Sequence, residues 1–296
     1  MKNKGKILTA AGISGLLMAG GVLSASASTS GYDTFKTAVK KTYAVNSFTA
    51  HVQGSLTDNG KVIYQVDSVN KEDVKTHATD SLTNVINNGT ASQFAVNSLN
   101  HQEVVENSKD NVYYVRQGNK GGHENMNHKE GKPSAQVQQG IENIFDALTK
   151  NYQDKIQLTD LSNGNKELQL SLSKTEVPVV GQAVASFLIT NANQHSDHFN
   201  KGTFGQKAEL KPTLPQLTSN VSVDSVELKG IVDAQQFLVG QEVTLNVSGD
   251  DAKGTHHNLV LHLTDTLNNI NSTTVKAIDL KGKKVVKVQD RHNHQD

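Results

Sequence analysis

Phe48-Thr49-Ala50-His51-Val52-Gln53-Gly54-Ser55-Leu56 runs through Thr57-Asp58-Asn59-Gly60-Lys61 into Val62-Ile63-Tyr64-Gln65-Val66. In an extended chain successive side chains point to opposite faces, so Phe48, Ala50, Val52 and Leu56 share one face and Thr49, His51, Gln53 and Ser55 the other. Asp58-Asn59-Gly60 then supplies residues that tolerate positive φ, as a tight hairpin needs. Val62, Tyr64 and Val66 resume the alternation on the return strand. The stretch predicts an amphipathic antiparallel hairpin with one wet face.

Working outward, the residues before this hairpin change period. Ser30 and Asp33 have capping-box spacing, and Phe35, Ala38, Val39, Thr42 and Tyr43 recur as one helical stripe. Downstream, strands are expected over 74–82, 93–98, 102–107 and 112–116. Asn87-Asn88-Gly89 and Ser108-Lys109-Asp110 read as turns between them. A polar loop over 119–133 leads to a second helix with Val137, Ile141, Ile144, Phe145 and Leu148 on one face. Strands over 156–161 and 166–172 flank the turn Asn163-Gly164. Ser173 and Glu176, with Pro178 after them, read as the start of a third helix, apolar nearly all round to Ile189. After a second polar loop over 191–215, three strands (221–232, 242–248, 256–263) end the pattern, with Asp250, Asp251 and Gly254 turning the last pair. Hairpin links imply an antiparallel sheet whose face the helices cover. The fold expected is α+β, a curved antiparallel sheet wrapping three main helices, as one domain over 28–288 with a disordered tail over 289–296.

Composition limits what such a domain does. Lys2, Lys4 and Lys6, an apolar run from Ile7 to Leu23, and Ala25-Ser26-Ala27 have the layout of a signal peptide cleaved near Ala27. The expected location is therefore secreted, at the cell envelope. That leader holds three of the 29 basic residues and none of the 29 acidic ones, so the remainder is net acidic by three. Such a charge gives no electrostatic reason to bind nucleic acid. With no cysteine, neither a disulfide framework nor thiolate chemistry is available. Trp is absent and aromatic residues are 5%, which disfavours stacking of sugar rings.

Several phrases are familiar together: Gly31-Tyr32-Asp33-Thr34-Phe35-Lys36-Thr37-Ala38, Asn46-Ser47-Phe48-Thr49-Ala50, Phe145-Asp146-Ala147-Leu148, Asn163-Gly164-Asn165-Lys166-Glu167-Leu168, Glu176-Val177-Pro178 and Leu214-Pro215-Gln216-Leu217. They resemble a family of exported proteins, of uncharacterised role, from spore-forming Gram-positive bacteria. By layout the chain also resembles the LolA/LppX-type half-barrel superfamily of lipoprotein and lipid carriers. That resemblance implies a curved sheet around helices with an apolar cavity for acyl chains. The chain departs from the anchored members in lacking a lipobox cysteine and in being aromatic-poor.

The residues expected to line such a cavity are Phe48, Val52, Val62, Tyr64, Val243, Leu245, Leu259 and Leu261. Val184, Phe187 and Leu188 would belong to a lid helix. An acyl chain there gains about 0.8 kcal/mol per buried methylene. The same residues would also make a closed core. His195 and His198, three apart around Asp197, are the weak metal candidates; neither a metal nor a cofactor is expected. His256 and His262 should share a strand face, with His257 on the other. No catalytic constellation is evident, so the function expected is non-enzymatic binding of a lipid or other apolar ligand. The alternative is a structural or regulatory envelope protein that binds a protein partner through its sheet face and loops.

Overall fold

The computed structural model describes residues 30–107, 111–117, 152–177, 212 and 214–288. They form one helix, α1 (Gly31–Tyr43), one 3-10 turn (Gln153–Lys155) and twelve strands. The first six strands are β1 (Ser47–Asp58), β2 (Lys61–Asp73), β3 (Ala78–Asn87), β4 (Thr90–Leu99), β5 (Gln102–Asn107) and β6 (Val112–Gln117). The others are β7 (Gln157–Asp160), β8 (Lys166–Ser173), β9 (Ser219–Val232), β10 (Leu238–Asp250), β11 (His256–Asn268) and β12 (Lys284–Val288).

All twelve belong to a single sheet in the order β12-β6-β5-β4-β3-β2-β1-β11-β10-β9-β8-β7. β1 to β6 step from the middle of the sheet to one side, while β7 to β11 start at the other side and step inward. The two meanders meet where β11 pairs with β1, Asp58 opposite Leu259 through Thr49 opposite Asn268. Residues 270–283 then cross to the β6 edge, and β12 adds there in parallel, the one parallel pairing among the described strands.

This corrects the expected α+β fold with three main helices. Strand accounts for 61% of the described residues, and α1 is their one α-helix. The expected second helix lies outside the described residues, as does the third beyond Val177. The apparent start of that third helix is a turn instead. Ser173 ends β8, and the Glu176 carboxylate accepts from its N–H (2.8 Å) and hydroxyl (2.6 Å). The Glu176 N–H in turn donates to the Ser173 carbonyl (2.8 Å), so one half of the capping-box pattern closes a turn, with Val177 buried behind it. The leader, the loop 119–133 and the tail 289–296 also lie outside the described residues, as does all but a few residues of the loop 191–215.

The founding hairpin forms as its sequence dictates. Asn59 and Gly60 have φ of 49° and 78°, the two positive values of a tight hairpin turn. Ala50, Val52, Leu56 and Val66 are buried, all on what we call the inner face. A bulge alters the rest: Leu56 pairs with Tyr64 but Thr57 with Val62, leaving Ile63 as the extra residue. The register therefore places Val62 with Thr57 on the outer side, 43% exposed.

α1 begins as expected, with the Ser30 hydroxyl accepting from the Asp33 N–H at 3.1 Å. Its Ala38 and Val39 pack on Leu168, Val232 and Leu238, with Phe35, Ile156 and Leu158 around them. Thr42 fixes the orientation: its hydroxyl donates to Ala38 O (2.8 Å) and accepts from the Leu238 N–H (2.7 Å). Tyr43, expected in the buried stripe, is exposed. A second cluster on β8 to β10 joins Leu170, Leu172, Val177, Val226 and Leu245. On the outer face the 270–283 crossing packs Ile278 and Leu280 on Val104, Tyr113 and Val115. Thr273 bonds Thr49 (2.9 Å) and the Lys276 carbonyl accepts from Asn97 (2.9 Å), so the crossing follows one row of the sheet.

Candidate functional site

Residues directly opposite in an antiparallel pair share a face, so the pairing register orders the inner face into rows. One row runs Leu172, Val226, Leu245, Leu261, Leu56, Tyr64. The next runs Leu170, Leu228, Val243, Leu263, Gly54, Val66, Val85. These are continuous apolar rows across six or seven strands. Gly54 interrupts the second because neighbours lean over it: a Cβ there would lie 2.8 Å from Leu263 Cδ2 and 2.9 Å from Val66 Cγ1. Cover is incomplete, since Leu228 is 37% exposed and Val243, Leu259, Leu261 and Leu263 are half-buried. Burial pushes the Tyr64 phenol up to about 12.

Of the residues expected to line a cavity, Val52, Tyr64, Val243, Leu245, Leu259 and Leu261 stand on this face, together with Phe48 at its far end. Val62 stands on the opposite side because of the bulge. Val184, Phe187 and Leu188 lie outside the described residues, as do His195 and His198.

Further along the strands, away from the Asn59-Gly60 turn, the inner face changes character. The next row holds Gln241, Asp265, Val52, Ser68, Thr83 and Phe94. After it come Leu267, Ala50, Asn70, Ser81 and Val96, then Phe48, Glu72, Thr79 and Ser98. Asp265 occupies the place a leucine would take in the run Leu259, Leu261, Leu263, Leu267. It is 1% exposed, and neither carboxylate oxygen has a hydrogen-bond partner. Burial drives its carboxyl up to about 6, against a weaker opposite pull from His51, and burial also raises Glu72. Asn70 is oriented by Ser68, whose hydroxyl donates to its Oδ1 at 3.3 Å and bonds Thr83 at 2.7 Å. That leaves the Asn70 amide nitrogen buried without a partner, as is the Thr79 hydroxyl. Sequence reasoning missed this end of the face, although a carboxylate breaking a period-two leucine run was the available signal.

The histidines are distributed as their parity predicts. His256 and His262 face outward, bonded to Asp250 (2.7 Å) and Thr244 (3.1 Å). His257 turns inward onto Asp58 (2.8 Å), with Asp251 at 3.7 Å, and its pKa is raised chiefly by the Asp58 bond. This pair resembles a catalytic Asp–His couple, but His257 Nε2 hydrogen-bonds no nucleophile. Asp251 is occupied in closing the β10–β11 turn, accepting from the Lys253 and Thr255 N–H groups at 2.8 Å. Among the described residues no group of three or more His, Cys, Asp or Glu is placed to hold a metal ion. What the fold defines is a single large sheet with an outer face polar near β1 and an inner face whose apolar rows lie between Asp58 and His257 at the turn end and Asp265 and Glu72 further along the strands. Compared with known proteins, the chain matches no family model, and no curated protein matches it in sequence.

Proposed function

We propose that this protein is a non-enzymatic binding protein that holds a lipid or another apolar ligand against the inner face of its sheet. The observation that carries this reading is the pair of apolar rows from Leu172 to Tyr64 and from Leu170 to Val85. They contain more apolar surface than α1 and residues 152–177 cover, as the exposure of Leu228 indicates. Each methylene buried there contributes about 0.8 kcal/mol without any need for specific polar contacts. The proposal stands on this face and not on a three-helix architecture. The basic, apolar and small-residue succession from Lys2 to Ala27 supports a place of work outside the cytoplasm.

The test is mass spectrometry of an organic extract of the purified protein, paired with its intact native mass. Stoichiometric lipid that survives washing is the expected result. A ligand-free mass, with no uptake from added lipid vesicles, would overturn the reading. A second reading, docking of a protein on the outer face, draws on Val69 directly opposite Leu82, both exposed, with Ile86 nearby on the same strand. Pull-down with Leu82→Asp as the negative control separates the two.

A further inference from the structure

Residues 281–287, Lys-Gly-Lys-Lys-Val-Val-Lys, hold four lysines and no carboxylate, in a chain that is net acidic by three outside its leader. All four lysines are exposed. Lys283 lies over the Tyr113 ring, 5.3 Å from its centre, whereas Lys281, Lys284 and Lys287 pair with no described carboxylate. Asp279, the nearest acid in sequence, closes its own turn by accepting from the Lys281 N–H at 2.9 Å. Glu106, two strands in, is engaged with the Tyr113 hydroxyl. The basic run ends in β12, the last strand of the sheet order, whose far side pairs with no described strand. Register sets Val285 beside Tyr113 and Lys287 beside Val115 on the outer side. On the inner side it sets Lys284 beside Val112 and Val286 beside Tyr114. Each side of this edge therefore offers one lysine and one valine, and the valines are 38% and 40% exposed.

We propose that the β12 edge docks on an anionic lipid surface, with Lys281, Lys284 and Lys287 at lipid phosphates and Val285 and Val286 at the acyl boundary. Lysine on an edge strand also discourages pairing with another sheet. That role accounts neither for Lys281, which lies in the turn before β12, nor for two valines left exposed between the charges. A lipid interface supplies a partner for each: phosphates attract the ammonium groups and the acyl boundary receives apolar side chains. A soluble polyanion would meet the lysines and offer the valines nothing. The proposal goes beyond the ligand reading and does not depend on what the inner face holds.

Vesicle flotation of the purified protein tests this, with phosphatidylcholine vesicles that contain or lack phosphatidylglycerol. Binding is expected to the anionic vesicles alone and to fade as salt is raised. Replacing Lys281, Lys284 and Lys287 together by Gln should weaken it by roughly fivefold per lysine, and so by more than tenfold. Replacing Lys61, Lys75 and Lys253, exposed lysines elsewhere on the sheet, removes the same charge and should change little. Val285→Ser with Val286→Ser should weaken vesicle binding and leave any binding of soluble polyphosphate unaltered. Equal loss in the two lysine variants would overturn the assignment as a general charge effect. Polyphosphate binding as tight as vesicle binding, with the valine variant undiminished on vesicles, would replace the lipid surface by a soluble polyanion. No vesicle binding by the parent, with self-association of the Lys281, Lys284 and Lys287 variant, would reduce these lysines to edge protection. None of these outcomes bears on lipid recovered from the inner face, so the two readings fail separately.

Discussion

A carboxylate in a row of leucines sets a sign for the pH dependence of this protein. The Asp265 carboxyl is raised from 3.8 to about 6 by burial. Between those values the folded chain holds a proton that the unfolded chain releases. The unfolding free energy therefore falls as pH rises from about 4 to 6, and the penalty is complete above that window. At 1.36 kcal/mol per pH unit, the penalty is on the order of 2–3 kcal/mol. Asp265→Asn keeps the shape and removes the titration. Urea unfolding should show the variant more stable than the parent by that amount at pH 7.5, with the two converging near pH 4. A constant difference across the range would mean that Asp265 ionises as freely in the fold as outside it.

Among the elements, α1 depends on one hydroxyl. Leu238 is fully buried and its N–H would be an orphan without Thr42. Thr42→Val conserves volume but leaves that donor unsatisfied, which costs about 1–3 kcal/mol. Denaturant midpoints should register the loss, with Thr42→Ser restoring most of it; no change in Thr42→Val would show that α1 docks by apolar contact alone. The same scale explains which elements were legible. Hairpins announced by Asn-Gly were readable because few other residues accept positive φ: Asn59 and Gly60, Asn88 and Gly89, and Gly164 all adopt it. The turn before β3 was not. Asp73 accepts from the Lys75 and Thr76 N–H groups (3.0 and 3.2 Å) and His77 has φ of 54°, so β3 begins at Ala78 rather than 74. The Ile63 bulge, which moved Val62 off the inner face, leaves no mark in composition. β12 was hidden because Lys-Val-Val-Lys-Val is short and charged, and only the crossing anchored by Ile278 and Leu280 brings it to β6. On the inner face the aliphatic lining was readable from alternation, whereas Asn70 and Glu72 acquire meaning only from a register that sets them near Asp265.

At the scale of the whole molecule, the sheet is two meanders joined at a seam. Within each meander the strands pair with sequence neighbours, but β1 and β11 pair residues about two hundred positions apart, as Asp58 and Leu259 do. Closing so long a loop carries an entropic cost before any contact compensates it, so the seam should form after the meanders. Val52 sits in the seam, 1% exposed, opposite Asp265 on one side and Ser68 on the other. Val52→Ala removes two methyl groups from a packed row, at a cost of about 2 kcal/mol. If the seam is absent from the folding transition state, nearly all of that cost appears as faster unfolding, and the folding rate scarcely moves. Val85→Ala, in the β2–β3 pairing of the first meander, should instead slow folding. Stopped-flow kinetics in urea on the two variants gives the comparison. A slowed folding limb in Val52→Ala with an unchanged one in Val85→Ala would reverse the order of assembly. The late seam also carries the consequence for binding: the apolar rows are split between the meanders, so the proposed binding face exists only once the two have joined.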